Sequence, residues 1–180
     1  MIGLRDHLRE DVAEVLQALR ALGVKQLIMI SGDRKYKAEM LADDLKLDRV
    51  YAEATPESKS SIIEELQQEG HKVLFVGDGV NDAPALSKAD VGMAMCAGTE
   101  LARQVADVVL LKDELYGLVE ARKMAQDAMK LVHSNIKIAE YVNSAIMLAA
   151  ALGWLNPTAS AILHNGTTMG ILARSMAARN

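Results

Sequence analysis

The turn at residues 77–84, Gly-Asp-Gly-Val-Asn-Asp-Ala-Pro, carries two carboxylates four residues apart, Asp78 and Asp82. It follows the apolar run 73–76, which is typical of a buried strand, so the carboxylates are expected at the carboxyl end of that strand. Mg²⁺ prefers one or two carboxylates together with waters and phosphate oxygens. The segment therefore predicts a magnesium site for phosphoryl transfer, with Asp78 as a ligand and Asp82 as a direct or indirect partner.

The small and polar residues of the same turn suit an anion. Gly77 and Gly79 lack a side chain, so backbone N–H groups there can approach a phosphate closely. Asn81 either donates to a phosphate oxygen or fixes the turn. The structural alternative is an ordinary turn, because Gly, Asp and Asn are common turn residues, and Asp82 alone would also complement a helix N-terminus.

The elements that must position this turn alternate along the first 115 residues. Short apolar runs separated by helical patterns predict an α/β fold, a parallel sheet with helices on both faces. Ligands in such sheets bind at the carboxyl ends of strands, where both Asp33 and Asp78 are expected. The predicted strands are 26–30, 50–52, 72–76, 91–95 and 108–111, and the predicted helices are 8–22, 36–45 and 56–69.

The pattern changes after residue 113. Residues 116–130 show a charged amphipathic pattern, and two mostly apolar stretches follow, 136–155 and 157–173. Each is close to the roughly 20 residues that a bilayer span needs, and each contains polar residues. Basic residues flank the pair, whereas the link 153–157 has no Lys or Arg. This predicts a two-span transmembrane hairpin with both termini cytoplasmic. The alternatives are a soluble helical hairpin that packs on the sheet, or two helices of a soluble oligomer.

Composition limits the classes of function. The 180 residues suffice for one domain with a core and a small additional element. The net charge of −4 gives no indication of nucleic-acid binding, and a single cysteine, Cys96, excludes an internal disulfide framework. Residues 1–11 carry five charged side chains without a long apolar run, so no cleavable signal peptide is expected.

Several motifs in order make the chain resemble the P-type ATPases, ion pumps that pass through a phosphoaspartate. The turn 77–84 resembles the family's hinge motif, Ser31-Gly32-Asp33 its Thr-Gly-Asp element, and Thr55-Pro56-Glu57-Ser58-Lys59 its lysine-bearing element. The order continues with Val-Gly-Met-Ala-Met at 91–95, Gly-Thr-Glu at 98–100 and Ala-Asp-Val-Val-Leu-Leu at 106–111. The two terminal apolar segments with Asn-Pro between them resemble the heavy-metal-transporting branch.

This resemblance implies a haloacid-dehalogenase-like phosphorylation domain that uses Mg²⁺ and, in the complete pump, ATP. Lys59 is expected to neutralise phosphate charge as a point cation. Ser31 and the Gly32 amide are expected to donate hydrogen bonds to phosphate oxygens, and Asp33 to orient the site. Without the neighbouring residues of the motif, Lys59 would be interpreted as an ordinary solvent-exposed lysine on a helix.

The nucleophile of the family is the Asp of an Asp-Lys-Thr-Gly-Thr block, and the 180 residues contain no such block. We therefore expect the carboxyl-terminal part of a pump, inactive by itself, whose sheet lacks the nucleophile-bearing strand between strands 26–30 and 72–76. These two strands either pair directly or leave a gap that another polypeptide fills. An expected partner is then a complementing chain with the nucleophile and the nucleotide-binding domain.

Polar residues within the two apolar stretches are candidates for the path of a transported heavy-metal cation, because polar groups inside a span are costly. By resemblance, His164 and Asn143 are the strongest candidates and Glu140 is a weaker one. Imidazole suits Zn, Cu, Ni and Fe, and the motifs do not identify the metal. The alternative is that His164 and Asn165 only tie helices together by hydrogen bonds.

The expected domains are a partial phosphorylation domain at 1–115, a connecting amphipathic helix at 116–134 and a transmembrane helical hairpin at 135–180. A second hypothesis is a catalytically inactive membrane-anchored fragment that binds or regulates a metal pump. A soluble phosphatase of the haloacid-dehalogenase type is the third, and it is disfavoured because those enzymes also need an early Asp nucleophile.

Overall fold

The computed structural model describes residues 12–112 and 114–177. Short strands and helices alternate up to residue 109, and two long helices follow. The strands are β1 (Ile28–Ile30), β2 (Arg49–Tyr51), β3 (Leu74–Gly77), β4 (Val91–Ala94) and β5 (Val108–Val109). The helices are α1 (Val12–Ala21), α2 (Lys35–Asp44), α3 (Pro56–Gln68), α4 (Ala83–Lys88), α5 (Glu100–Val105), α6 (Tyr116–Ala151) and α7 (Pro157–Ala177).

The predicted alternation is confirmed, and each predicted strand forms within two residues of its expected bounds. Helix α3 begins as its sequence predicts: Thr55 Oγ1 accepts the N–H of Ser58 at 3.2 Å, and Pro56 occupies the first helical position. The first four residues of the predicted helix 8–22 lie outside the described residues, and the remainder forms α1.

All described strands are parallel, but they form two separate sheets. In one, β1 pairs with β2, and Met29 lies opposite Val50. In the other, β4 lies between β3 and β5, and Val76 lies opposite Met93. Within the described residues, β1 and β3 are each paired on one side only and are not hydrogen-bonded to each other. The predicted parallel α/β fold is therefore confirmed, and direct pairing of these two strands is not observed.

Burial follows this pairing. In the central strand β4, three of four residues are buried, whereas every residue of β1 and β3 is partly or largely exposed despite being apolar or glycine. A strand that is covered on both faces and paired on both edges is largely buried, and in β4 only Val91, its first residue, is exposed. The other edge strands, β2 and β5, are also partly exposed, so burial separates the central strand β4 from all four strands at the sheet edges. The main core cluster comprises Val15, Leu19, Leu27, Met93, Leu110, Leu118 and Val119.

Contacts divide the chain into two compact units, Met1–Arg122 and Lys123–Asn180. The second unit contains most of α6, together with α7. The predicted connecting helix and the first apolar stretch are one unbroken helix of 36 residues. Gly153, with φ of +75°, ends α6 in the left-handed region that favours glycine, and Asn156 Oδ1 caps α7 by accepting the N–H of Ala159 at 2.8 Å.

The two helices of the hairpin are tied near its open end. Asn135 Nδ2 donates to Ser175 Oγ at 2.9 Å, and Arg174 donates to Asn135 Oδ1 at 2.8 Å and to Ser134 Oγ at 3.0 Å. The predicted helical hairpin therefore forms. Among the described residues, however, no helix combines the length and the apolarity needed to cross a bilayer, so the structure does not confirm the predicted transmembrane spans.

Candidate functional site: a carboxylate–lysine turn at the end of β3

The Asp82 carboxylate organises the turn between β3 and α4. Its Oδ2 accepts hydrogen bonds from the backbone N–H groups of Asp78 at 3.3 Å and Gly79 at 3.2 Å. The residue is nearly enclosed, with 8% of its surface exposed. The amides of a turn lack the backbone acceptors that a helix or a sheet would provide, and here the Asp82 carboxylate accepts their hydrogen bonds instead. Asp82 therefore stabilises the turn and fixes the position of Asp78 at the carboxyl end of β3.

Lys59 supplies the positive charge that this buried carboxylate requires. Its Nζ lies 2.6 Å from Asp82 Oδ1, and the two side chains are only 14% and 11% exposed. The first turn of α3 places Lys59 there, because that turn is fixed by its cap at Thr55. Charges with this little exposure need a partner, so the ion pair holds the start of α3 against the turn.

Gly77 is required because Asp82 packs against it. A Cβ at Gly77 would lie 2.7 Å from Asp82 Cβ and 2.9 Å from Asp82 Cγ, which no real Cβ tolerates. The loop before α5 closes on the turn as well: the Thr99 N–H donates to the Asp78 carbonyl at 2.8 Å, and a Cβ at Gly98 would lie 3.2 Å from that oxygen. The backbone of Asp78 is therefore held by two segments.

The Asp78 side chain is exposed, and no hydrogen-bond partner of its carboxylate lies within the described part of the chain. Both oxygens of Asp82 are engaged, one by Lys59 and the other by two amides, so the carboxylate left free is that of Asp78. One free carboxylate beside exposed Asn81 fits Mg²⁺, which takes few protein ligands and keeps waters. Residues 12–112 and 114–177 contain no group of three His, Cys, Asp or Glu side chains that could hold a metal ion.

The loop after β1 carries Ser31, Gly32 and Asp33. Ser31 Oγ accepts the N–H of Asp33 at 3.1 Å, so its own hydroxyl proton stays available to donate, and Asp33 is exposed. The Ser31 carbonyl accepts the N–H of Ala54 at 2.9 Å. Because Ala54 lies two residues before α3, backbone hydrogen bonds connect this loop to the helix that carries the lysine.

The structure thus groups three of the predicted residues directly: Lys59, Asp78 and Asp82. It ties the loop of Ser31 to the start of the lysine-bearing helix through the backbone. Within the described residues, no side-chain contact joins Asp33 to Asp78. The arrangement offers one fixed cation and one free carboxylate at the carboxyl ends of parallel strands, where ligands of such sheets bind, whereas the N–H of Gly79, predicted to approach a phosphate, is bonded to Asp82.

A second polar pair lies in the helical hairpin. His164 Nδ1 is 2.9 Å from Asn143 Oδ1, across α7 and α6, so the two predicted candidates are in contact. Glu140 is exposed on α6, and no contact with the pair is described. Thr168 Oγ1 donates to the His164 carbonyl at 3.1 Å, within the same helix.

Three aspartates that the sequence reasoning did not single out have a common role at the opposite ends of the strands. Each directly precedes a strand and accepts the N–H of a residue at the start of the neighbouring strand. Asp48 accepts from Leu27 at 2.7 Å, Asp90 from Val73 at 3.0 Å and Asp107 from Gly92 at 2.8 Å. These bonds fix the register of the parallel pairs, and an Asp immediately before an apolar run was the available signal.

Two of these carboxyls have shifted pKa values. Hydrogen bonds from Lys72, from the Val73 N–H and from Gln67 hold the pKa of Asp90 well below its ordinary value. The N–H of Leu27, together with Arg20, lowers the pKa of Asp48. In both cases the ionised form receives the hydrogen bonds, so the native state favours the carboxylate.

Comparison with known proteins decides the family. A family model described as haloacid dehalogenase-like hydrolase matches residues 1–90. The chain belongs to the haloacid dehalogenase-like hydrolases. The manganese-exporting P-type ATPase of Mycobacterium tuberculosis H37Rv is 42% identical over 176 residues, which are 97% of this chain and 24% of that protein. The zinc-exporting P-type ATPase of Mycobacterium marinum is 42% identical, with the same coverage of both chains.

A solved structure gives the same result. A zinc-transporting PIB-type ATPase in its E2.Pi state matches with a TM-score of 0.88 and 33% identity, over 95% of this chain and 28% of that one. The resemblance to heavy-metal-transporting P-type ATPases is therefore confirmed. The haloacid dehalogenase-like chain spans about a quarter of the length of the curated relatives. Relatives named for manganese and for zinc are equally identical to it, so identity does not distinguish the metal.

Proposed function

We propose that this chain is the carboxyl-terminal portion of a heavy-metal cation-translocating P-type ATPase. It would supply the magnesium- and phosphate-binding half of the phosphorylation site together with the last two membrane helices. The observation that carries the proposal is the turn after β3, where Lys59 and Asp82 lock each other and leave the Asp78 carboxylate free. The similarity to heavy-metal pumps over nearly the whole chain supports it.

Each group has a specific task in this proposal. Asp78 would hold Mg²⁺, which supplies positive charge to the transferred phosphoryl group. Lys59 adds a second positive charge, and its pairing with Asp82 keeps the ammonium in place before the phosphate arrives. The Ser31 hydroxyl and the Gly32 amide would donate to phosphate oxygens. Phosphoryl transfer depends mainly on such positioning and charge stabilisation.

The proposed site is completed by a strand that comes from outside the described residues and lies between β1 and β3. Two observations support this: each of these strands is paired on one edge only, and their apolar residues are partly exposed. Unpaired apolar edges are ready to accept another strand. The incoming strand would carry the nucleophilic Asp, and the nucleotide-binding domain with its ATP site would belong to the same polypeptide.

The hairpin of α6 and α7 is proposed to be the membrane part. Residues 141–173 contain no Asp, Glu, Lys or Arg, and basic residues flank them at Lys137 and Arg174. Many large apolar side chains of the hairpin are exposed, including Met147, Leu148, Leu152, Trp154, Ile162, Leu163, Met169 and Leu172. A bilayer would cover such a surface, and the flanking basic residues support the proposal that both ends lie on the cytoplasmic side. Residues 116–134 of α6 would connect this part to the phosphorylation domain at 1–115.

The test is formation of the phosphoenzyme. The chain would be combined with a complementing polypeptide that carries the Asp-Lys-Thr-Gly-Thr block and a nucleotide-binding domain, and acid-stable, hydroxylamine-labile label from ATP would be measured. The parent is expected to support labelling that depends on Mg²⁺, and Asp78→Asn is expected to abolish it. Asp43→Asn, the same charge change at an exposed position of α2, is the control and should retain labelling.

Two outcomes would contradict the proposal. Equal labelling with Asp78→Asn would remove Asp78 from the magnesium site. No labelling with any variant, while the chain still binds the complementing polypeptide, would instead favour an inactive fragment that binds or regulates a pump.

A further inference from the structure

The contact between His164 and Asn143 determines which ring nitrogen of the histidine carries the proton. His164 Nδ1 lies 2.9 Å from Asn143 Oδ1. An amide oxygen has only lone pairs and cannot donate, so the hydrogen of this bond must come from Nδ1. In a neutral imidazole one nitrogen is a donor and the other an acceptor. In the neutral ring, with the amide oxygen of Asn143 facing Nδ1, the free lone pair is therefore on Nε2 of His164.

The surroundings leave that lone pair available. The His164 residue is exposed, and Nδ1 is the ring nitrogen that the described contacts engage. Glu140 lies one helical turn before Asn143 on α6, and within residues 12–112 and 114–177 neither it nor another charged side chain forms a hydrogen bond or ion pair with the His164 ring. The backbone under the ring is tied as well, since Thr168 Oγ1 donates to the His164 carbonyl at 3.1 Å. A neutral imidazole with one nitrogen held and the other free is the form that ligates a metal.

We propose that Asn143 is a positioning residue for the transported cation: it holds His164 as the Nδ1–H tautomer, so that Nε2 ligates the metal. This rests on the proposed function as a heavy-metal pump and refines it, because it separates two residues first considered as equal ligands. Asn143 Oδ1 is occupied by the imidazole N–H and is therefore not the ligand. Histidines that bind metals commonly donate their other N–H to an oxygen in this way, and the oxygen fixes the tautomer and the orientation of the ring.

The tautomer can be read directly by nuclear magnetic resonance. The full chain, labelled with ¹⁵N-histidine and held in lipid nanodiscs, contains four histidines, and His164→Gln identifies the signal of interest. At a pH where the ring is neutral, His164 is expected to show the Nδ1–H pattern. His133, whose Nδ1 lies 2.7 Å from the Met129 carbonyl oxygen, provides an internal reference for the same pattern.

Two substitutions of Asn143 then separate positioning from packing. Asn143→Leu removes the acceptor and keeps the number and branching of the side-chain heavy atoms, so the His164 tautomer is expected to change. Asn143→Asp keeps an oxygen acceptor and should preserve the Nδ1–H pattern even if the helix contact is altered. Ser144→Ala is the neighbouring control and should leave the His164 signals unchanged.

Zinc titration of the same samples supplies the second readout. Zn²⁺ should shift Nε2 of His164 in the parent and in Asn143→Asp, and Asn143→Leu should weaken this binding about 10- to 100-fold, the usual effect of losing such an oxygen partner. The inference is overturned if His164 is in the Nε2–H form in the parent, or if Asn143→Leu binds Zn²⁺ as tightly as the parent. It is also overturned if the tautomer is as expected but Zn²⁺ does not reach Nε2, since the pair would then only tie α6 to α7. That result leaves the phosphoenzyme test of the proposed function unaffected.

Discussion

The ion pair between Lys59 and Asp82 allows a quantitative test of how the site is built. Removing one partner of a buried pair typically costs about 3–5 kcal/mol, because it leaves an uncompensated charge. Both side chains keep more than a tenth of their surface exposed, so we take the lower end, about 3 kcal/mol, for Asp82→Asn. Lys59→Met should cost less, about 1.5 kcal/mol, because Asp82 retains its two amide donors.

The double variant, with Lys59→Met and Asp82→Asn, shows whether the two charges stabilise each other or whether each substitution only removes its own contacts. With both charges removed, no unpaired ion remains, so we expect a cost of about 2.5 kcal/mol and a coupling energy of about 2 kcal/mol between the two sites. The free energy of unfolding would be measured by urea titration with far-ultraviolet circular dichroism. Fluorescence of Trp154 is unsuitable because that residue lies in the other compact unit.

An exposed pair in the same unit serves as the control. Lys35 and Glu39 lie 3.7 Å apart on α2 with 74% and 50% of their side chains exposed, so their coupling should be about 0.3–0.5 kcal/mol. If the coupling between Lys59 and Asp82 is no larger than this, the pair is not a buried lock, and the idea that Asp82 pre-positions the lysine is refuted.

Three further predictions follow from single contacts. Gly77→Ala should destabilise the chain by about 1–3 kcal/mol, because its Cβ would overlap Asp82; Gly32→Ala, whose Cβ would meet only Ala54 O at an ordinary 3.5 Å, should change the urea midpoint little. Because the pKa of Asp90 is lower in the folded than in the unfolded state, its stabilising contribution is present above about pH 4 and is lost as the pH falls below that value. Asp90→Asn should therefore reduce the difference in urea midpoint between pH 6 and pH 3. If this difference is unchanged in the variant, Asp90 does not cause the loss of stability at low pH. Without the complementing polypeptide, the chain should form no phosphoenzyme from ATP and Mg²⁺, and hydroxylamine-labile label on the chain alone would contradict this.

Much of the fold was predictable because the local signals agree with the tertiary structure. Apolar runs such as 73–76 gave the strands, and Thr55-Pro56 gave the start of α3. Helix α5, six residues long, was not predicted, since its only strong local signal is the cap at Thr99. The division into two sheets depends on which strands find partners, and local sequence does not encode that.

The candidate site was predictable in its residue types but not in its pairing. The sequence predicted Asp33 and Asp78 at one edge of the sheet, and the family resemblance added Lys59 as the cation of the site. The structure groups Lys59, Asp78 and Asp82. Which carboxylate is bound by lysine and which stays free depends on a close approach at Gly77 that only coordinates reveal. The same holds for the aspartates before β2, β4 and β5, because their partners lie 15 to 21 residues away.

Hydrogen exchange at the open strand edges tests the central claim most directly. The carbonyl of Gly77 and that of Val73 accept from the β4 side, so by strand alternation the amide of Val76 points to the open edge of β3. Likewise, the Ser31 N–H donates to Tyr51, so the amide of Ile30 points away from β2. We predict that the amides of Ile30 and Val76 exchange rapidly in the chain alone and become protected when the complementing polypeptide binds. Protection of both amides in the isolated chain, or rapid exchange in a complex that forms phosphoenzyme, would contradict a strand inserted between β1 and β3.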